Sequence, residues 1–442
     1  MMIMTGYSQS VTFKVLGIAL LALLMLIPLA QVNDLIGERE GRAQEATRQI
    51  AARWGAAQMV GGPVLVVPVR CQRQRDNGVV TVEENEFLLP DRLALSATMT
   101  PELRSYGIYE TAVYTSAIKV EGRFVERDLA LIAGDGCSAQ WPRAELRVPV
   151  SDVHGIRRAS PLRVGERELV FGPDGGGLAD ISTITAPFPL EASALAQPMP
   201  FAFELTLAGS ERLAVLPLAR QTDVHVEGAW PDPGFDGAFV PAERKVDAHG
   251  FDANWQVLDL NRRIAQHWTA HETTTFAPAE GAFGVSLVRP ANAYQQNVRA
   301  GKYGVLFIAL TFVAFFLFEV LRGLRVHPVQ YLLVGLALCT FYVVLLALSE
   351  QLGFGVAYAL AAATTVAMVG GYAAAVLAQR RAGIVLGGLL GLIYALLYGL
   401  VRSEDYALLM GSLALLATVT ALMYLTRRVD WYAMAARRSV AE

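Results

Sequence analysis

Apolar and polar positions divide the chain into two regimes. Near the N-terminus, and again beyond residue 302, apolar residues run together without interruption; between those regions they alternate. A helix that crosses a hydrocarbon core of about 30 Å needs roughly 20 such residues. Nineteen uncharged residues separate Lys14 from Asp34, and an apolar run from Lys302 to Arg322 is broken once, by Glu319. Further uncharged runs of 22, 29, 20 and 21 residues lie between His327 and Glu350, Glu350 and Arg380, Arg381 and Arg402, and Asp405 and Arg427. The pattern predicts transmembrane helices at 15–33, 303–321, 328–349, 353–379, 382–401 and 406–426, flanked by a terminus at 1–14 and a tail at 427–442. The first run could instead be read as a cleaved signal peptide, but its core is short, and Pro28 stands where such a cleavage site wants a small residue; a retained anchor is expected.

Between the first two spans the pattern changes twice. Residues 34–60 carry no proline, and Ala43, Ala46, Ile50 and Trp54 recur at helical spacing, which predicts a helical stalk with one modest apolar face. Sustained heptads are absent, so packing on the following domain is expected rather than a coiled-coil seam. From Gly61 the period becomes two: Phe201, Phe203, Leu205 and Leu207 share one face of a strand. Pro63–Val69, Ala117–Val125, Glu145–Val150, Glu166–Phe171 and Leu213–Leu218 read as further short strands, punctuated by Gly172–Gly177 (GPDGGG) and Pro231–Gly234 (PDPG). The expected architecture is an α-helical bundle of one N-terminal and five C-terminal transmembrane helices. It carries a large extracytoplasmic all-β, sandwich-like domain at 61–290, followed by a juxtamembrane linker at 291–302.

Composition supports this division. Of 442 residues 54% are hydrophobic and only 17% charged, with mean hydropathy +0.38, which excludes a disordered chain and disfavours a purely soluble one. The net charge of −3 leaves no basic footprint for nucleic acid. Residues 34–301 hold 18 of the 20 prolines, so the segment is a folded domain of its own rather than another set of spans. Basic residues bias short loops toward the cytoplasm. With Lys14 inside, short flanks and loops place nine basic residues inside (Lys14, Arg322, Arg325, Arg380, Arg381, Arg427, Arg428, Arg437, Arg438) and one, Arg402, outside. Both termini are therefore expected in the cytoplasm, with residues 34–302 periplasmic. There Cys71 and Cys137 have the compartment for a disulfide, whose formation the spacing leaves open; Cys339 lies within a span and reads as a small apolar residue.

The joining region and bundle resemble a known family. Tyr294–Tyr303 (YQQNVRAGKY) leads into Leu306–Glu319 (LFIALTFVAFFLFE), followed by His327–Gly335 (HPVQYLLVG), Leu345–Glu350 (LLALSE) and Leu425–Ala433 (LTRRVDWYA). With Trp230–Phe235 (WPDPGF) and Gly250–Trp255 (GFDANW), these stretches are similar to the CreD, or Cet, family of bacterial inner membrane proteins over nearly the whole chain. The resemblance implies an anchor, a periplasmic domain and a helical bundle. It also implies association with a two-component regulon and with envelope stress, including responses to β-lactams and tolerance to a colicin. It implies no catalytic residue.

Among single residues, Glu319 stands out, because a carboxylate within a span is expensive and faces a partner or a polar path. Its spacing to Arg322 suits a helical ion pair. His327, before Pro328, is expected to cap the next span, with a pH-sensing role as the sharper reading. Arg299 and Lys302 read as interfacial anchors, as do Trp431 and Tyr432. Gly383, Gly387 and Gly391 form a small-residue row for close helix packing within the chain. His267 and His271 share a helical spacing but lack the acid next to the first His that a zincin requires. Ser151, Asp152 and His154 lack a nucleophile elbow, and no dinucleotide fingerprint or P-loop occurs. No catalytic, cofactor or metal site is therefore assigned, and no cofactor is expected.

The expected function is that of a non-enzymatic envelope-stress protein. Its periplasmic domain would bind an envelope protein, glycan or lipid, and its bundle would anchor or relay that state in the bilayer, with homo-oligomers possible. The alternative is a transporter or channel with Glu319 in its path; a membrane-embedded hydrolase ranks last.

Overall fold

A computed structural model describes residues 11–75, 78–134, 136–173, 177–191, 197–270, 278–288, 293–322, 326–376, 379–403 and 406–427. The chain divides into two compact units, Met1–Ala43 with Ala291–Glu442, and Gln44–Pro290. Among the described residues the helices are α1 (Val11–Leu24), α2 (Leu26–Trp54), α3 (Glu126–Leu129), α4 (Ala293–Arg322), α5 (Pro328–Leu352), α6 (Phe354–Val376), α7 (Arg380–Arg402) and α8 (Ala407–Thr426).

Among the described residues six stretches are long and apolar enough to cross a membrane: Phe13–Trp54, Ala293–Val320, Pro328–Leu352, Phe354–Val376, Arg380–Arg402 and Leu409–Thr426. One is N-terminal and five are C-terminal, as the uninterrupted runs required. The 29-residue interval between Glu350 and Arg380 resolves at Gly353, whose φ of +74° suits glycine and lets α6 start one residue later.

Composition cannot choose which face of such helices packs, because all faces are apolar; small residues make the choice. Met25, between α1 and α2, and Leu29, Val32 and Ile36 of α2 form a buried stripe, whereas Leu20, Leu23 and Ile27 remain exposed. The partners opposite the stripe are glycines. A Cβ at Gly304 of α4 would lie 2.8 Å from Leu29, and one at Gly335 of α5 would lie 2.6 Å from the Met25 sulfur. Helices α5, α6 and α7 pack in series, and α4 lies against both α5 and α7. Helix α8 leaves Leu409, Leu413, Leu416 and Met423 exposed.

The β-rich unit is built from three sheets. The largest has nine strands, in the order Arg167–Leu169, Leu162–Val164, Met199–Ser210, Tyr109–Phe124, Arg92–Tyr106, Gln221–Gly228, Phe251–Leu258 and Glu243–Val246, with Ile156–Ala159 also paired to Met199–Ser210. A six-stranded sheet centres on Val64–Arg75 and Gly78–Leu88, and a four-stranded one on Arg212–Leu216 and Phe283–Leu287. Their inner faces share one core that includes Leu65, Leu95, Tyr114, Phe203, Val215 and Phe283. Alternation produces this directly: every second residue of Met199–Leu207 is buried. Burial pushes the Tyr114 hydroxyl far above the ordinary tyrosine range, and it donates to the carbonyl of Arg212 at 2.7 Å.

Two expectations need correction. The strands are not uniformly short, because Arg92–Tyr106 and Tyr109–Phe124 form a hairpin of 15- and 16-residue arms turned at Gly107. The helical stalk does not reach residue 60: α2 stops at Trp54, and Gln58–Gly61 forms a strand parallel to Arg212–Leu216. Gly55 ends the helix, with a φ of +145° and a position at which any Cβ would sit 2.4 Å from the carbonyl oxygen of Ala208.

Candidate functional site

Glu319 lies on the last turns of α4 and is 4% exposed. Its side chain forms an ion pair with Lys14 of α1. It also accepts a hydrogen bond from the Tyr331 hydroxyl at 2.9 Å and one from the Val326 backbone N–H at 3.1 Å. Lys14 completes the ring by donating to the Val326 carbonyl at 3.1 Å. Among the described side chains the cation that answers Glu319 is Lys14, 305 positions away; the expected pairing with Arg322 falls on a side chain outside the described residues. A carboxylate with three donors is held in place, and the cluster ties α1, α4 and the start of α5 into one knot.

His327 is the N-cap of α5. Its Nδ1 accepts from the Val329 N–H at 3.3 Å, and its own N–H donates to Gln330 Oε1 at 2.9 Å, a reciprocal capping box. At the opposite end of α5, Asn297 donates to Ser349 at 2.8 Å, and the Tyr294 hydroxyl donates to Glu350 at 3.0 Å. Two of the three row glycines meet another helix. A Cβ at Gly383 would fall 2.4 Å from Ala374 Cβ and 2.6 Å from the Gly370 oxygen, and Gly387 lies against Gly370. Gly391 faces open space and takes no part in that contact. Gly370, the counterpart on α6, carries no signal of its own in the sequence.

In the β-rich unit the hydrolase-like residues are occupied by the backbone. Ser151 Oγ accepts from Met59 N–H at 2.8 Å and donates to the Ala57 carbonyl at 3.1 Å. Asp152 accepts from the N–H groups of Ala56 at 2.8 Å and His154 at 3.0 Å. Burial raises the Asp152 pKa, but those two N–H groups and the His154 ring outweigh it and hold the carboxyl below its ordinary range. Together with Gln58, which donates to the carbonyls of Asp152 and Ala208 at 3.0 Å each, these residues clasp the chain just after α2. His267 sits on a strand, not a helix, and its Nε2 meets Glu86 at 2.8 Å; His271 lies outside the described residues. Cys71 and Cys137 are joined by a disulfide across register-paired strands, and Cys339 is free and buried.

The same unit has a surface hollow of about 480 Å³ on the nine-stranded sheet. Small residues, Ala94, Gly122 and Ala202, line it together with Arg92, Arg123 and Arg163 and one acid, Glu121. Gly122 is required there, because a Cβ would lie 2.2 Å from the Arg92 carbonyl oxygen and 2.4 Å from the Phe201 ring. Arg92 and Arg123 are direct cross-strand neighbours, an arrangement of like charges that is destabilising without a counter-charge. Arg92 has Asp223 at 3.2 Å, while Arg123 shares Asp91 with Arg127 and Arg220. This cluster escaped the sequence reading because its members come from four separate strands and the loop edge at Gly165.

A bundle of six span-capable helices joined to a large all-β unit defines the class: a multi-span membrane protein with one large folded segment between its first two spans. The family model "Inner membrane protein CreD" matches residues 10–432. The chain is also 33% identical over 415 residues to "Inner membrane protein CreD" of Escherichia coli (strain K12), covering 93% of this chain and 91% of that protein. The chain belongs to the CreD family, an inner membrane protein family.

Proposed function

We propose that this inner membrane protein is a non-enzymatic component of the envelope-stress response. Its β-rich unit lies in the periplasm with both termini cytoplasmic, it binds an anionic envelope component, and its bundle anchors or relays the bound state. The observation that carries the reading is the arginine-lined hollow, where two arginines stand side by side over a floor of small residues. A phosphate- or carboxylate-bearing glycan or lipid headgroup is the matching ligand class, since guanidinium forks pair with both.

Further observations support the reading. The lysine and arginine bias favours this orientation, and pairing of Lys14 with Glu319 puts the start of α1 beside the end of α4, as antiparallel spans require. A disulfide in the β-rich unit suits an oxidising compartment. The hydrogen bonds that Ser151 and Asp152 make to the backbone favour a structural over a hydrolytic reading of Ser151, Asp152 and His154. The transport alternative relies on Glu319, whose carboxylate is committed to Lys14, Tyr331 and Val326.

The test is in-cell crosslinking from a photoreactive residue at position 202 during cell-wall stress, read by mass spectrometry. A saturable glycan or lipid adduct that Arg163→Glu abolishes is the expected result. An inserted, abundant protein that gives no adduct, or one unaffected by Arg163→Glu, overturns the ligand reading. Cysteine-accessibility mapping at Lys119 and Arg380 tests sidedness: periplasmic labelling is expected only at 119.

A further inference from the structure

The structure assigns a divalent transition-metal site to His225, Glu227 and Asp252, on the outer face of the nine-stranded sheet. His225 and Glu227 stand two apart on Gln221–Gly228 and so share a face. Asp252, on Phe251–Leu258, is the direct antiparallel partner of Glu227. One ligand atom from each of the three lies within 4.8 Å of the others, and His225 Nε2 is 3.0 Å from Asp252 Oδ2. A tetrahedral ion with nitrogen and oxygen ligands at about 2.0–2.2 Å sets those atoms about 3.4 Å apart. Small side-chain rotations at a partly exposed site therefore reach the required geometry.

Charge is the second argument. Glu227 and Asp252 are carboxylates directly opposed across two strands, a pairing that repels. Among the described residues no arginine or lysine forms an ion pair with either; Glu227 accepts only from Thr98 Oγ1, at 2.9 Å, and Asp252 meets only His225. Lys245, in register with Asp252 on the edge strand, makes no such pair. Asp223, next along the same face, shows the contrast: Arg92 answers it at 3.2 Å, and Gln221 and Gln256 donate to it at 3.0 Å and 3.1 Å. Among the described residues the opposed pair thus has no arginine or lysine counter-charge, and only the His225 imidazole stands beside it.

The donor set names the ion. One imidazole and two carboxylates suit zinc or a neighbouring first-row divalent metal better than calcium, which prefers oxygen alone. Three protein ligands leave a position open to solvent or to another ligand. Thr98 is a positioning residue: its hydroxyl fixes one oxygen of Glu227 and leaves the other free to bind. The site uses different side chains from the arginine-lined hollow, and its existence does not depend on which side of the membrane the unit occupies.

The test uses tag-free full-length protein in detergent, stripped of metal and titrated with zinc chloride by calorimetry, with bound zinc counted by mass spectrometry. About one zinc per chain is expected. Affinity should fall at least about 100-fold in His225→Gln and in Asp252→Asn, and about 10-fold in Thr98→Val. Cobalt(II) should give visible ligand-field absorption in the wild type that both ligand variants lose. Melting temperatures without metal confirm that the variants fold; Glu227→Gln, which keeps an oxygen for Thr98, replaces any that does not. No stoichiometric zinc in the wild type, or equal affinity in the folded ligand variants, overturns the assignment and leaves His225 and Asp252 as an ordinary surface ion pair.

Discussion

Replacing Lys14 tests what holds the bundle together. Lys14→Met leaves Glu319 buried with two donors, the Tyr331 hydroxyl and the Val326 N–H, and no described cation in contact. Removing one member of a buried ion pair costs about 3–5 kcal/mol, because the other charge stays desolvated. Lys14 is 24% exposed, so part of its attraction is screened by solvent, and about 2–3 kcal/mol is expected. Glu319→Gln is milder. Its amide oxygen still accepts from Tyr331 or Val326, and Lys14 keeps both solvent and the Val326 carbonyl; about 1 kcal/mol is expected. The double variant should cost less than the sum of the two, with a coupling of at least about 1 kcal/mol. Cys339 provides the readout. It is buried in α5, and the other two cysteines are disulfide-bonded, so its labelling rate during a denaturant titration in micelles reports the bundle alone. If Lys14→Met matches the wild type, or if the two single costs simply add, the ion pair does not hold the knot.

Other outcomes follow from local geometry. Gly383→Ala should destabilise by about 1–3 kcal/mol through overpacking against Ala374 and Gly370, whereas Gly391→Ala, in open space, should be neutral or gain up to about 1 kcal/mol of helix propensity; the Cys339 titration distinguishes them. Asp152→Asn should cost about 1–2 kcal/mol at neutral pH by weakening the hydrogen bonds from Ala56 and His154. The Asp152 pKa is depressed in the folded state, so its contribution is present above the ordinary value of 3.8 and is lost as pH falls through the depressed value. The gap between wild type and variant, followed by tryptophan fluorescence on melting, should therefore close in that acid range and nowhere above it. Reducing Cys71–Cys137, which closes 66 positions, should cost about 4 kcal/mol by loop entropy. Native protein should show no reactive thiol apart from Cys339 on unfolding, and reduced protein should show three.

The legible features were those that a bilayer or a pleat imposes on neighbouring residues. Glu319 was conspicuous because a charge in an apolar run needs a reason, but its pairing with Lys14, 305 positions away, could not be read from neighbouring residues. The capping role of His327 could be read because a cap and the residues it serves lie within one turn. Gly383 and Gly387 could be read as a packing row, yet the same spacing also drew in Gly391, which meets nothing. Spacing reports which face a residue occupies and is silent on whether another helix covers that face. The end of α2 was placed too late because Ala51–Met59 carries no proline, while the stop comes from Gly55 and from strand pairing with residues more than 150 positions on.

The sequence by itself determined the six span-capable helices, the all-β character of the segment between the first two, and the family. Uninterrupted apolar runs, period-two alternation and long matching motifs are all written along the chain. Tertiary structure alone decided that Lys14 answers Glu319, that Ser151 and Asp152 clasp a backbone, that three arginines line one hollow, and that Glu227 opposes Asp252. Each of these depends on strand register or helix contact between residues far apart in the chain. Shifting one strand by a single residue would turn the same side chains to the other face of the sheet and dissolve both surface clusters, which is why no local pattern could announce them.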